Sequence, residues 1–147
     1  MIGETSTTFQ PSSSFDSATR SDSTALLGGC PGLTAGTADV QAPEVANDGN
    51  RVVFAARASA GDPLGVYLAT IDGSAACQRV TVAAPDANGL KIHNFDPVFS
   101  PDGKWIVFAS TRGKAGPVKA RRRFQPQADL WRVAVSGTTI NQGSYEQ

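Results

Sequence analysis

Apolar residues in this chain fall in short pieces of four to seven, bounded by Pro, Gly, Asp and Ser, and no segment repeats them at a helical spacing. Val, Ile, Phe, Trp and Tyr dominate these pieces, which is strand composition. The pattern predicts antiparallel strands near 43–47, 51–57, 65–71, 78–82, 97–100, 104–110 and 129–135, with essentially no helix. Trp105-Ile-Val-Phe-Ala109 is apolar at every position instead of alternating, so this strand is expected to be covered on both faces. The expected interior is Val52, Phe54, Tyr67, Phe99, Trp105, Ile106, Phe108 and Trp131.

The pieces repeat. Asp96-Pro-Val-Phe-Ser-Pro-Asp-Gly-Lys-Trp-Ile-Val-Phe-Ala-Ser110 has a weaker copy 54 residues upstream, Ala42-Pro-Glu-Val-Ala-Asn-Asp-Gly-Asn-Arg-Val-Val-Phe-Ala-Ala56. A second block, Gly65-Val-Tyr-Leu-Ala-Thr-Ile-Asp-Gly73, recurs as Asp129-Leu-Trp-Arg-Val-Ala-Val-Ser-Gly137 at an offset of 64, so the later copy carries ten extra residues between its halves. In Ser100-Pro101-Asp102-Gly103 the proline presets φ, the aspartate can bond nearby backbone and the glycine accepts a left-handed conformation, which predicts a tight hairpin turn. Asp48 and Gly49 make the same turn in the first copy. Each copy is therefore expected to be a four-stranded antiparallel meander, over 41–95 and 96–147.

The string "DPVFSPDGKWIVFAS … ADLWRVAVSG" resembles the WD-like β-propeller repeat of TolB-type proteins, closely over 96–137 and loosely over 42–82; residues 1–40 lie outside the resemblance. Asn47 in place of proline and Arg51 in place of an aromatic weaken the first copy's match. The resemblance implies an all-β fold of four-stranded propeller blades. About two blades are present, an open pair, where closure takes roughly four to eight, so the expectation is a piece of a longer protein whose open blade faces also permit self-association. It further implies a non-catalytic scaffold that binds another protein through its loop face, in the periplasm or outside the cell. The alternatives are the gating propeller of a prolyl-oligopeptidase-type serine peptidase and the sensor propeller of a larger signalling protein, because fold does not settle function.

Composition narrows this further. A net charge of zero argues against a dedicated nucleic-acid binder. Residues 1–24 hold twelve Ser or Thr and only three of Leu, Ile, Val or Phe, so this tail is expected to be disordered, with a Gly-rich lead-in running to residue 40. No signal peptide and no stretch of membrane-spanning length is visible. Leu27-Gly-Gly-Cys30 has the form of a lipoprotein cleavage box, but its upstream segment is too polar for one. Cys30 and Cys77, the only cysteines, read either as a disulfide tying the lead-in to the first blade in an oxidising compartment or as two reduced thiols.

Known catalytic motifs are missing from the sequence, and nothing in it requires a metal or cofactor. Asp48, Asp102, Gly49, Gly103 and Pro101 are accounted for as turn formers, and Asp96 as a residue ending a loop before a strand. A meander alternates its connections between the two ends of the sheet, which gathers the long loops 83–95 and 111–127 at one end. The first carries Lys91 and His93. The second carries Arg112, Lys114, Lys119, Arg121, Arg122 and Arg123 beside Phe124, with no acid before Asp129. This cluster reads as a surface for an acidic protein partner, or alternatively as a solvated loop held extended by its own charge; His93 reads first as a loop residue.

Overall fold

The structure, a computed structural model, describes residues 26, 27, 29–113 and 128–147. Eight strands follow in order: β1 (Asp39–Val45), β2 (Arg51–Arg57), β3 (Gly65–Thr70), β4 (Gln78–Arg79), β5 (Asn94–Phe99), β6 (Trp105–Ser110), β7 (Asp129–Ser136) and β8 (Thr139–Ile140), with a 3₁₀ turn at Gln142–Ser144. They form two antiparallel four-stranded sheets, β1-β2-β3-β4 and β5-β6-β7-β8, one from each sequence copy. The tail 1–24 and most of the insertion 111–127 lie outside the described residues.

The strand boundaries correct the sequence reading at both copies. β1 begins at Asp39 and β5 at Asn94, upstream of the prolines that were expected to open them. Each strand runs through its proline because a bulge precedes it, with register shifts at Gln41/Glu44 and Phe95/Val98. Ala42 (φ 47°) and Asp96 (φ 50°) take left-handed conformations at corresponding positions, so Asp96 is a bulge residue within a strand and not a loop terminus. β4 stops at Arg79, three residues short of the expected end. There the Thr81 hydroxyl, not a backbone carbonyl, accepts the Val66 N–H at 3.0 Å, which ends the ladder. The second sheet's outer strand is Thr139–Ile140, and the 142–147 segment follows it. That segment turns back, and Arg132 and Glu146 exchange backbone bonds of 2.9 and 3.1 Å.

The two sheets stack face to face over one apolar layer. From the first sheet come Val53, Val66, Leu68 and Val80, and from the second Phe99, Ile106, Phe108, Val133 and Val135, with Trp131 and Tyr145 at its margin. Each such side chain withdrawn from water contributes about 1.5–3 kcal/mol before entropy is counted. A second apolar layer lies on the far side of the first sheet. Val52, Phe54, Ala56, Tyr67 and Ala69 there meet Leu26, Leu27, Leu33 and the disulfide Cys30–Cys77, with Phe54 and Tyr67 stacked at 5.8 Å.

This arrangement reverses the expectation for the two copies. β2 and β3 are buried along nearly their whole length, whereas β6 alternates, its Ile106, Phe108 and Ser110 buried and its Trp105, Val107 and Ala109 half-exposed. The lead-in, which the sequence left outside the fold, covers the first sheet; the second is covered on one side only among the described residues. Six of the eight expected interior residues are buried, and Trp105 and Trp131 are half-buried. Phe108 and Trp131, register partners, face the first sheet, whereas Trp105 stands on the opposite face of the second.

Candidate functional site

The meander sorts the connections into two ends. At one end lie the hairpin turns, and at the other the loop 58–64, the crossover 80–93 and both flanks of the 114–127 insertion.

At the loop end Lys91 and His93 are placed, and both make internal bonds. Lys91 Nζ donates to the Gly61 carbonyl at 2.7 Å. The His93 N–H donates to Thr111 Oγ1 at 3.0 Å while its carbonyl accepts from the Thr111 N–H, also at 3.0 Å. Its Nδ1 accepts from the Leu64 N–H at 3.4 Å, which requires the neutral imidazole with its proton on Nε2. Burial, reinforced by the charges of Arg57 and Lys91, lowers the His93 pKa and keeps that neutral form. His93 thus ties three loops together. Lys114, Lys119, Arg121, Arg122, Arg123 and Phe124 lie outside the described residues, and the structure brings only their flanks, Arg112 and Gly113 on one side and Ala128 on the other, to this end.

Arg112 occupies a more specific position than that of a solvated loop charge. Its guanidinium lies over the rings of Trp131 and Tyr145, 5.5 and 5.8 Å from their centroids. It also lines a hollow of about 420 Å³ with Asp86, Asn88 and Ile92. Beneath the loop end Asn94 is wholly buried, with neither atom of its side-chain amide partnered among the described residues, beside its register partner Ser110, also wholly buried. Sequence reasoning missed Asn94. The available signal was its equivalence to Val40 in the first copy, a polar residue standing at an apolar repeat position.

The turn end holds the larger cleft, about 870 Å³, lined by Asp48, Arg51, Asp102, Lys104 and Trp105 among others. The expected turn formers are in place, with Gly49 at φ 74° and Gly103 at φ 68°. The Asp48 carboxylate accepts from the N–H groups of Asn50 (2.9 Å) and Arg51 (3.0 Å) and pairs with the Arg51 guanidinium. Those bonds hold its pKa down at about 2. Asp102 does likewise, accepting from Ser100 Oγ at 2.6 Å and Lys104 N–H at 3.1 Å, and its pKa is lowered. Arg51 spans the two sheets: Nη1 donates to the carbonyls of Gly103 (3.2 Å) and Gly137 (3.0 Å), and the guanidinium lies 5.1 Å from the Phe99 ring centre. The residue that weakened the first copy's match is therefore a clamp between the copies. Asn47, the other departure, donates to the Pro101 carbonyl at 2.9 Å.

Cys30 and Cys77 are joined as a disulfide that ties the lead-in to the first sheet. Among the described residues, no group of three or more His, Cys, Asp or Glu could hold a metal ion, and no helix is long and apolar enough to cross a membrane. Comparison with models of known protein families and with curated proteins finds no match to this chain.

Proposed function

We propose that this chain is a two-blade module of a TolB-like β-propeller, a non-catalytic scaffold that binds an acidic protein partner through its loop end. The observation that carries the reading is that the two sequence copies fold to the same four-stranded meander and stack face to face, the way successive propeller blades pack. The meander also brings Lys91 and Arg112 to one end with both flanks of the basic insertion, so their positive charge acts over one surface. The disulfide supports an oxidising compartment, periplasmic or extracellular.

The test uses a fluorescent poly-glutamate peptide as the acidic probe. Replacing Arg121, Arg122 and Arg123 with Ser is expected to weaken its binding about tenfold at low salt and to flatten the salt dependence, with the melting temperature nearly unchanged. Binding that the triple substitution leaves untouched, or no binding at low ionic strength, refutes the loop-end reading.

A further inference from the structure

The repeat offsets relate the faces of the two sheets residue by residue. The side of the first sheet on which the second sits carries Val53, Ala55, Val66 and Leu68, all at most 1 % exposed. Their equivalents Val107, Ala109, Leu130 and Arg132 form the far side of the second sheet, where Leu130 is 68 % and the neighbouring Val98 43 % exposed. Conversely, Ile106, Phe108, Trp131 and Val133, which the second sheet presses onto the first, correspond to Val52, Phe54, Tyr67 and Ala69 beneath the lead-in. Among the described residues the chain thus has a knob face covered by its own lead-in and a matching seat left open.

The cover is incomplete and loosely attached. Val45 and Ile71, equivalents of the buried Phe99 and Val135, lie on the covered face yet remain 50 % exposed. Among the described residues the lead-in's backbone bonds run within itself, Cys30 to Leu27, Leu33 to Cys30 and Ala38 to Thr34, not in a ladder with the sheet. Besides apolar contact it is held by the Tyr67 hydroxyl donating to the Pro31 carbonyl at 3.3 Å and by the Cys30–Cys77 bond. On the seat, the charge of Arg132 is accommodated: its guanidinium lies 4.2 Å from the Trp105 ring centre and pairs with Glu146 at 2.8 Å.

We propose that the open face of the second sheet is a seat for the first sheet of another copy of this chain, and that the disulfide-pinned lead-in keeps the knob face of that first sheet covered until the bond is reduced. A dithiol reductant supplies the chemistry. One thiolate attacks a cystine sulfur to give a mixed disulfide, and the second thiol resolves it; two cysteine thiols are released, and the dithiol becomes its own disulfide. The freed lead-in swings off, and the contact between copies repeats the sheet-on-sheet contact already present within one. Such a contact is head-to-tail, so copies add in one direction and close as a ring if the rotation permits. This contact rests on the stacking of the sheets and the pinned lead-in, independently of the loop end.

The experiment is light scattering on the full chain with and without dithiothreitol, alongside far-ultraviolet circular dichroism and amide exchange. The oxidised chain is expected to have the mass of one copy and the reduced chain integral multiples of it. Exchange should rise in residues 26–38 while β2, β3 and β6 keep their protection. Leu130→Arg, placed on the exposed seat, should return the reduced chain to one copy. Four results would each overturn the proposal: a reduced chain that stays folded as one copy, oligomers that form equally when oxidised, oligomers indifferent to Leu130→Arg, or loss of sheet protection on reduction, which would make the lead-in part of the fold and not a guard. None of these bears on poly-glutamate binding.

Discussion

Asp48 shows how a single turn residue makes folding depend on pH. Its carboxylate receives two backbone N–H groups and the Arg51 guanidinium, so the folded pKa of about 2 lies below the usual 3.8. A depressed value means that the folded state favours the charged form; the stability this contributes is present above about pH 4 and is lost as pH falls through the folded value. Asp72 and Asp102, lowered by bonds from their own turns, act in the same direction. Urea unfolding between pH 5 and 2 should therefore show stability falling on acidification, and Asp48→Asn should flatten that fall; an unchanged slope would remove Asp48 from the account. Gly103 carries a steric constraint at the same end. Its φ of 68° strains any β-branched residue, and a Cβ there would meet Arg51 Nη2 at 2.7 Å, whereas at Gly73 (φ 70°) a Cβ meets nothing within 4 Å. Gly103→Val should cost about 1 kcal/mol or more in unfolding free energy. It should also cost more than Gly73→Val, because it disturbs the guanidinium that holds two carbonyls of the second sheet. Equal losses would mean that Arg51 moves aside freely.

The existence and order of the strands were legible from apolar runs and turn residues, because both are local signals. Strand ends were not, since β1 and β5 pass through Pro43 and Pro97 only by means of bulges that local propensity disfavours. Nor was coverage: Trp105-Ile-Val-Phe-Ala109 is the more apolar run, yet β2 is the strand buried on both sides, because coverage depends on what the rest of the chain brings there. This separates residues the sequence grouped together. Phe108 is 2 % exposed in the layer between the sheets, whereas Trp105 is half-exposed on the far face beneath Arg132. Phe108→Ala should cost about 3–5 kcal/mol and Trp105→Ala clearly less, measured by chemical denaturation, although tryptophan is the larger side chain. A larger loss at Trp105 would mean that the far face is covered.

At the scale of the molecule, the sequence showed which loops share an end but not what they do there. Lys91 and His93 are bonded to the loops beside them, and Asn94 and Arg112 acquire their positions only once β5, β6 and β7 lie side by side. The disulfide had two readings because cysteine spacing fixes no distance in space. Its consequence is an asymmetry of protection. The first sheet is enclosed by the second sheet on one side and by the pinned lead-in on the other, and the bond closes a loop with a sequence separation of 47. Constraining the unfolded chain over a loop of that length is worth about 4 kcal/mol in the chain-entropy picture. Local opening should therefore be hardest in β2 and β3 and progressively easier toward the two-residue strands β4 and β8 and toward β7, whose outward residues Leu130 and Arg132 meet water. In hydrogen exchange of the oxidised chain the amides of Val53, Ala55 and Leu68 should be the slowest, with those of Val107 and Arg132 in the second sheet faster although they belong to the better-matching repeat. Slower exchange in β6 and β7 than in β2 and β3 would show that the second sheet, not the first, is the enclosed one, and with it the division into a covered and an open face would fall.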